Sequence, residues 1–349
     1  MNILISAYTG MGNMVLKTPM IRSIYQLFNE VKVDLVAGSS FGPETVLANS
    51  NYINNVFLMQ ENNPARNKSI IKNWQYDYCF VGFDAAPQFL MQLLRSSNIN
   101  TIIRHYLPSK NPINKAKRVA QKNTIWVPLQ AGRHEIDLNF DLLEAAYGSP
   151  FKRKKNTFVA FKEDNSIIKK YEIIPPYFII QPGAANGIDN TKIWPSTSYI
   201  ELIELLLKNY GHQIVLVGHK KDYDFAVLPI ATHFENDSRV VNTAGATEIN
   251  ELKNLLYYSK LIICHDSGVM HLGDALEKPL IALFGPSDFS RVKPLKSTSH
   301  YLFSKTKYLN IKYNFKSFNV SNLKKNEAQN YPMQGLPVEE VFNKVKSLI

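Results

Sequence analysis

Four loops of this 349-residue chain carry residue types at spacings that can do chemistry. The first is Thr9-Gly10-Met11-Gly12-Asn13, directly after an apolar run. Its two glycines let a ligand approach the backbone closely, or simply make a tight turn. It is neither a full GxGxxG nor a Walker loop, since no Gly-Lys-Ser/Thr follows. The second is Gln181-Pro182-Gly183-Ala184-Ala185 followed by Lys192-Ile193-Trp194-Pro195. A small-residue loop with one lysine just before a helix suits an anionic group such as a diphosphate; the bland reading is an exposed lysine beside a packed tryptophan. The third is Leu216-Val217-Gly218-His219 with Asp222 and Asp224. There an acidic residue past a strand end either holds a ribose diol or caps a helix. The fourth is His265-Asp266-Ser267-Gly268-Val269-Met270-His271. Asp266 or Ser267 is expected to cap a helix, with His271 one turn in and facing whatever binds at that end.

Other chemistries are absent from the pattern. There is no HExxH, no CxxC and no GxSxG, so neither a metal centre nor a serine-nucleophile elbow is expected. The two cysteines, Cys79 and Cys264, sit in apolar segments and read as buried free thiols of a reducing compartment. The hydrophobic fraction of 45% is ample for packed cores, and the length suits two domains. No uncharged apolar run approaches the roughly 20 residues that span a bilayer. The start, MNILISAYTGMGNM, lacks a basic n-region and reads as a first strand rather than a signal peptide.

The net charge is +11, and its distribution is uneven. Between Asp84 and Glu135 there is no acidic residue, yet Arg95, Arg104, Lys110, Lys115, Lys117, Arg118, Lys122 and Arg133 fall there. Between Asp288 and Glu327 lie nine more Lys/Arg and again no acid. Such blocks suit a polyanionic partner or form a solvated surface. A nucleic-acid partner is not expected, because no interleaved aromatic motif or recognisable module accompanies the charge.

These loops need elements to position them. Apolar runs alternate with amphipathic stretches throughout, the signature of βαβ units. The first half predicts strands at Asn2–Ala7, Lys32–Ala37, Asn55–Leu58, Tyr78–Val81 and Thr101–Arg104. Helices are expected over Pro19–Phe28, with Thr18 as its cap, over Gln88–Leu94, and over Leu138–Ala146 ending at Gly148. Residues 151–176 are charged, proline-bounded and weakly periodic, and read as a linker. The second half predicts strands at Tyr177–Gln181, Gln213–Val217, Arg239–Val241, Leu261–Cys264 and Leu280–Phe284. Its helices are expected at Tyr199–Asn209, near Asp222–Ile230, at Glu248–Tyr258 and from Val269. Ser198 with Glu201 reads as a capping box, and Gly211 as a stop. The expected organisation is a domain over 1–150, a linker over 151–176, a second domain over 177–336 and a closing helix within 337–349. Both domains are α/β, Rossmann-like and doubly wound.

Taken together, the four loops resemble glycosyltransferase family 9, whose founding members are ADP-heptose:lipopolysaccharide heptosyltransferases. GMGNMVLKTPMIRSI resembles the family's glycine–aspartate–TP segment, and RHEIDLNFDLLEAAYG the segment ending its first domain. PGAANGIDNTKIWPSTSYIELIELL resembles its lysine–x–tryptophan–proline loop. Most specific is NTAGATEINELKNLLYYSKLIICHDSGVMHLGDALEKPLIALFGPSD, which resembles the Asp-Ser/Thr-Gly…His signature.

The resemblance implies a GT-B architecture, two Rossmann-like domains facing across a cleft. The implied activity is inverting, metal-independent transfer of a sugar, heptose from ADP-heptose, onto a phosphorylated lipopolysaccharide or lipooligosaccharide core. No cofactor is implied; the nucleotide-diphosphate sugar is a substrate. Donor contacts would come from Gly10, Gly12, Gly183, Ala184, Lys192, Asp222, Ala246, Asp266, Ser267, Gly268 and His271, with Lys192 on the diphosphate, Asp222 on the ribose and Ala246 backbone at the base. Acceptor phosphates would meet Arg104, Lys115, Lys117, Arg118, Arg133 and His134 at the cytoplasmic face of the inner membrane. One position departs from the family. The aspartate assigned as its base is Asn13 here, and an amide orients a hydroxyl but takes no proton near neutral pH. Asp84, which lies three residues past Val81, His134 and Asp137 are the alternative bases. Transfer without a strong base, or a sugar-nucleotide-binding protein that has lost transfer, are the other readings. A GT-B epimerase or hydrolase acting on the donor alone is a further enzymatic one.

Overall fold

A computed structural model describes residues 1–38, 42–48, 50–83, 87–108, 123–184, 192–285, 287–304 and 332–349. The chain divides into two units, Met1–Phe161 and Lys162–Ile349.

The first unit is a parallel sheet of β1 (Asn2–Ser6), β2 (Lys32–Gly38), β3 (Asn55–Met59), β4 (Tyr76–Val81), β5 (Ile99–Tyr106) and β6 (Thr124–Pro128). Its strand order is β3-β2-β1-β4-β5-β6, so the direction of winding reverses between β1 and β4. Among the described residues the helices are α1 (Met11–Leu27), α2 (Pro64–Ile71), α3 (Gln88–Ser96) and α4 (Glu135–Tyr147). The central strands are buried on both faces, which is why they read as continuous apolar runs. Cys79, on β4, is fully buried and free.

The second unit begins with α5 (Ser166–Lys170) and repeats the design. Its strands are β7 (Phe178–Ile180), β8 (Ile214–Leu216), β9 (Val240–Asn242), β10 (Leu261–His265), β11 (Leu280–Phe284) and β12 (Ser299–Phe303). The order is β12-β11-β10-β7-β8-β9, all parallel, with the reversal between β7 and β10. Helices α6 (Ser196–Asn209), α7 (Leu228–His233), α8 (Ile249–Tyr258), α9 (Gly268–Ala275), α10 (Phe289–Val292) and α11 (Val338–Lys346) accompany it. Trp194, Tyr199 and Phe178 anchor a core that α11 closes through Val341 and Val345. Cys264 is likewise buried and free.

Several elements depart from the sequence expectations. The first helix starts at Met11, and Pro19 lies inside it. Proline offers no N–H to the carbonyl four residues back. Here the Thr18 hydroxyl donates to Val15 O at 2.7 Å instead, so the helix continues; Thr18 is no cap. Likewise α6 starts at Ser196 after Pro195, not at a Ser198 capping box. Glu251 provides such a reach-back in α8, accepting from the Glu248 N–H at 2.7 Å. Strands β6 and β12 and helices α2 and α5 went unanticipated. The two strands are sheet edges with mostly half-exposed side chains, so their hydrophobic signal is weak.

The stretch 151–176 is shared between the units. The Phe158 N–H donates to Thr18 Oγ at 3.1 Å, and the Ala160 N–H to Val46 O at 2.9 Å. From residue 162 onward the contacts belong to the second unit. Asn254 Nδ2 donates to Lys162 O, and Asn254 Oδ1 accepts from the Asp164 N–H. Among the described residues, no helix is long and apolar enough to cross a membrane.

Candidate functional site

In doubly wound sheets, ligands bind beyond the carboxyl ends of the strands where winding reverses. In the second unit that place is the pair of loops after β7 and β10, which are the second and fourth sequence loops. The fold brings them into direct contact. Lys192 Nζ lies 2.9 Å from Asp266 Oδ2, and Ser267 Oγ donates to Gln181 Oε1 at 2.6 Å. Burial works against the Asp266 carboxylate. Lys192, the nearby Ser287 hydroxyl and His271 nevertheless hold its pKa down to about 2, so it is ionised at any working pH. Ser267 occupies the N-cap position of α9, but its hydroxyl is spent on Gln181. No side chain caps the first turn, contrary to expectation. Gly268 opens that helix, and His271 is buried one turn in.

Beneath these loops is a platform that sequence reasoning passed over. Trp194 is fully buried; its N–H donates to His265 Nε2 at 3.3 Å and its indole N–H to Leu336 O at 3.0 Å. Tyr199 Oη also lies 2.8 Å from His265 Nε2. With Nε2 accepting from Trp194, the ring proton belongs on Nδ1. Burial pushes the His265 pKa down to about 4, so the ring is neutral. The available signal was the pairing of Lys-x-Trp-Pro with a histidine at a strand end, which read as a loop motif rather than as a floor.

Asp222 is fully buried. A Cβ added at Gly183 would sit 2.5 Å from its Oδ2, so Gly183 is small because this carboxylate fills the space. Asp222 closes a short turn capped by His219, whose Nδ1 accepts from the Lys221 N–H at 3.1 Å. It therefore supports the loop from below, while Asp224 is exposed. Ala184 is buried beside Gly183. Ala246 is exposed in the turn after β9, where Gly245, at φ 73°, donates its N–H to Gly218 O.

In the first unit, Gly10 is exposed with open space where a Cβ would go, while Gly12 is buried. Asn13 is half-buried in the first turn of α1, which has neither an acidic residue nor a side-chain cap. His134 is buried, and its Nδ1 accepts from the Ile136 N–H at 3.2 Å, capping α4. Asp137 is bound up with Lys155 at 2.6 Å and with Arg153. Arg133 pairs with Asp141 at 2.8 Å. Arg104 lies over the Trp126 ring at 4.9 Å, and burial, then the Arg95 charge, lower its pKa. Asp84, Lys115, Lys117 and Arg118 lie outside the described residues. Among the described residues, no group of three His, Cys, Asp or Glu side chains is placed to hold a metal ion.

Two tandem doubly wound units, with a lysine and an uncapped helix start at the second reversal point, are the constituents of a GT-B fold. The chain belongs to glycosyltransferase family 9 (heptosyltransferase), whose profile matches residues 94–317. It is 38% identical to lipopolysaccharide heptosyltransferase 2 of Salmonella typhimurium over 115 residues, covering 33% of this chain and 32% of that relative. It is 24% identical to lipopolysaccharide heptosyltransferase 3 of Escherichia coli over 300 residues, 79% of this chain and 80% of the relative. The fold is shared with the solved E. coli ADP-heptose lps heptosyltransferase II, with a TM-score of 0.72 at 22% identity across 100% of this chain and 98% of that one.

Proposed function

We propose that the protein transfers heptose from ADP-heptose onto a phosphorylated lipopolysaccharide or lipooligosaccharide core, working at the cytoplasmic face of the inner membrane. The observation that carries this reading is the convergence of Lys192, Asp266, Ser267 and the start of α9 at the reversal point of the second sheet. Nucleotide-sugar transfer needs the leaving diphosphate stabilised as its bond to the anomeric carbon breaks. A fixed ammonium and the N–H groups of a helix start do so electrostatically, without a metal. Asp266 cannot itself gather phosphate, because it is an anion; its part is to aim Lys192. Asp222 and the His265–Trp194–Tyr199 platform hold the loops. The acceptor hydroxyl attacks opposite the leaving group and inverts the centre. Arg104 and Arg133 supply positive charge on the acceptor side, Arg133 sharing its charge with Asp141.

A second reading is favoured by Asn13. With an amide in place of the family's aspartate, the chain binds a sugar nucleotide but transfers weakly or not at all. Calorimetric titration of ADP-heptose, UDP-sugars and GDP-sugars into wild type and Lys192→Ala tests the donor half. Selective binding of ADP-heptose, weakened tenfold or more by Lys192→Ala, is expected, since hydrogen bonds to charged groups contribute about 1.5–3 kcal/mol. No binding to any donor would sink both readings. Donor binding with no ADP release on adding core acceptor would favour the second.

A further inference from the structure

The first unit contains an open cavity of about 620 Å³ lined by Tyr8, Met59, Gln60, Glu61 and Asn62. It lies beyond the carboxyl ends of β1 and β3, within the size range of small-molecule sites. Its walls are built. The Tyr8 ring occupies space that only a glycine leaves at the end of β2, because a Cβ on Gly38 would sit 2.5 Å from the ring. Phe89 holds the same ring edge-on at 5.8 Å. The 60–62 loop is tied to buried Asn67, whose Oδ1 accepts from the Gln60 N–H at 3.0 Å and whose Nδ2 donates to Gln60 O at 2.6 Å.

The lining chemistry is specific. Two carboxamides, a phenol and a carboxylate offer both donors and acceptors, and the tyrosine ring offers an apolar face, with buried Met59 behind the loop. Among the described residues lining the cavity, Glu61 carries the formal charge, and it is negative. Its field reaches the Tyr8 hydroxyl, whose pKa is raised first by burial and then by Glu61. A phosphate entering here meets a like charge, which costs affinity. A saccharide instead gives hydroxyl hydrogens to the carboxylate and packs its C–H face on the ring.

We propose that this cavity is a binding site for a neutral, hydroxyl-rich saccharide, and that Glu61 selects such a sugar against a phosphorylated one. Its assignment to the acceptor rests on the glycosyl-transfer reading above; the binding chemistry does not. The cavity thereby differs in kind from the basic stretch 95–133, which suits acceptor phosphates.

The test is an NMR titration of the full chain with methyl α-D-mannopyranoside and with mannose 6-phosphate, and with ADP separately on the same sample. The neutral glycoside is expected to shift the backbone signals of Tyr8 and of residues 59–62 in the millimolar range. Mannose 6-phosphate is expected to bind at least tenfold more weakly. Glu61→Gln, at an exposed position, should shrink that gap to less than threefold. Equal or tighter binding of the phosphorylated sugar to wild type, or shifts confined to other residues, would overturn the proposal even where ADP binds normally. Saccharide binding at these residues with no ADP binding would uphold the cavity and defeat the transfer reading instead.

Discussion

Lys192 and Asp266, 74 residues apart in sequence, meet at 2.9 Å where the winding of the second sheet reverses, with 22% and 12% of their side chains exposed. The pair is electrically balanced. Its value is geometric: the carboxylate fixes where the ammonium points.

That pairing leaves a signature in stability. The Asp266 pKa is lowered from 3.8 to about 2, so its contribution is fully present above the unfolded value and is lost as pH falls through 4 toward 2. At 1.36 kcal/mol per unit this is about 2.5 kcal/mol. Denaturant unfolding of wild type and Asp266→Asn between pH 6 and 2 should show a difference in stability that shrinks by about that amount. A constant offset would mean the carboxylate is not held by Lys192.

The neutral His265 behaves in the same direction at higher pH. Its pKa is lowered from 6.5 to about 4, so the unfolded chain binds this proton more readily. Stability is complete above about pH 6.5 and falls by about 3 kcal/mol as pH drops to 4. The His265 ring signal should therefore not titrate between pH 8 and 5 in an NMR experiment. A midpoint near 6.5 would show that the platform under Trp194 is absent.

Gly183 and Asp222 form a test of packing. Gly183→Ala places a methyl group at 2.5–2.8 Å from the Asp222 side chain and should cost about 1–3 kcal/mol in unfolding experiments. Combining it with Asp222→Ala should recover part of that cost, giving a coupling energy above about 0.5 kcal/mol. Strict additivity would remove Asp222 as the reason for the glycine.

Asn13→Asp separates the two readings of function. Position 13 lies in the first turn of α1, where no acidic residue balances the helix dipole, so the substitution should stabilise the protein by about 0.3–1 kcal/mol. A general base typically contributes a factor of about 10²–10⁴. Steady-state turnover should rise tenfold or more if residue 13 meets the acceptor hydroxyl. A gain in stability without a gain in turnover would assign the proton to another group.

Much of this architecture was legible from residue order alone. Parallel strands buried on both faces are apolar over most of their length, so β1, β2, β4, β7, β10 and β11 announce themselves. Gly148 closed α4 as expected, with φ 80° at its cap. The small-residue loop after β7 and the helix start after β10 were also visible as motifs, because close backbone approach and a helix start dictate residue type locally.

Tertiary contact decided the rest. Whether Pro19 ends a helix depends on whether another donor reaches Val15 O, and Thr18 does. Edge strands β6 and β12 are set by neighbours in the sheet rather than by their own half-exposed side chains. Asp222 reads in sequence as a ribose ligand or a helix cap, and only the fold shows it buried against Gly183. His265 reads as part of a loop signature, yet it is the floor on which Trp194 and Tyr199 stand. Sequence specified which residues carry charge, donors and small size, because those are properties of single positions. Which carboxylate aims a lysine and which is buried beneath a glycine depends on distances across the chain, and only folding fixes those.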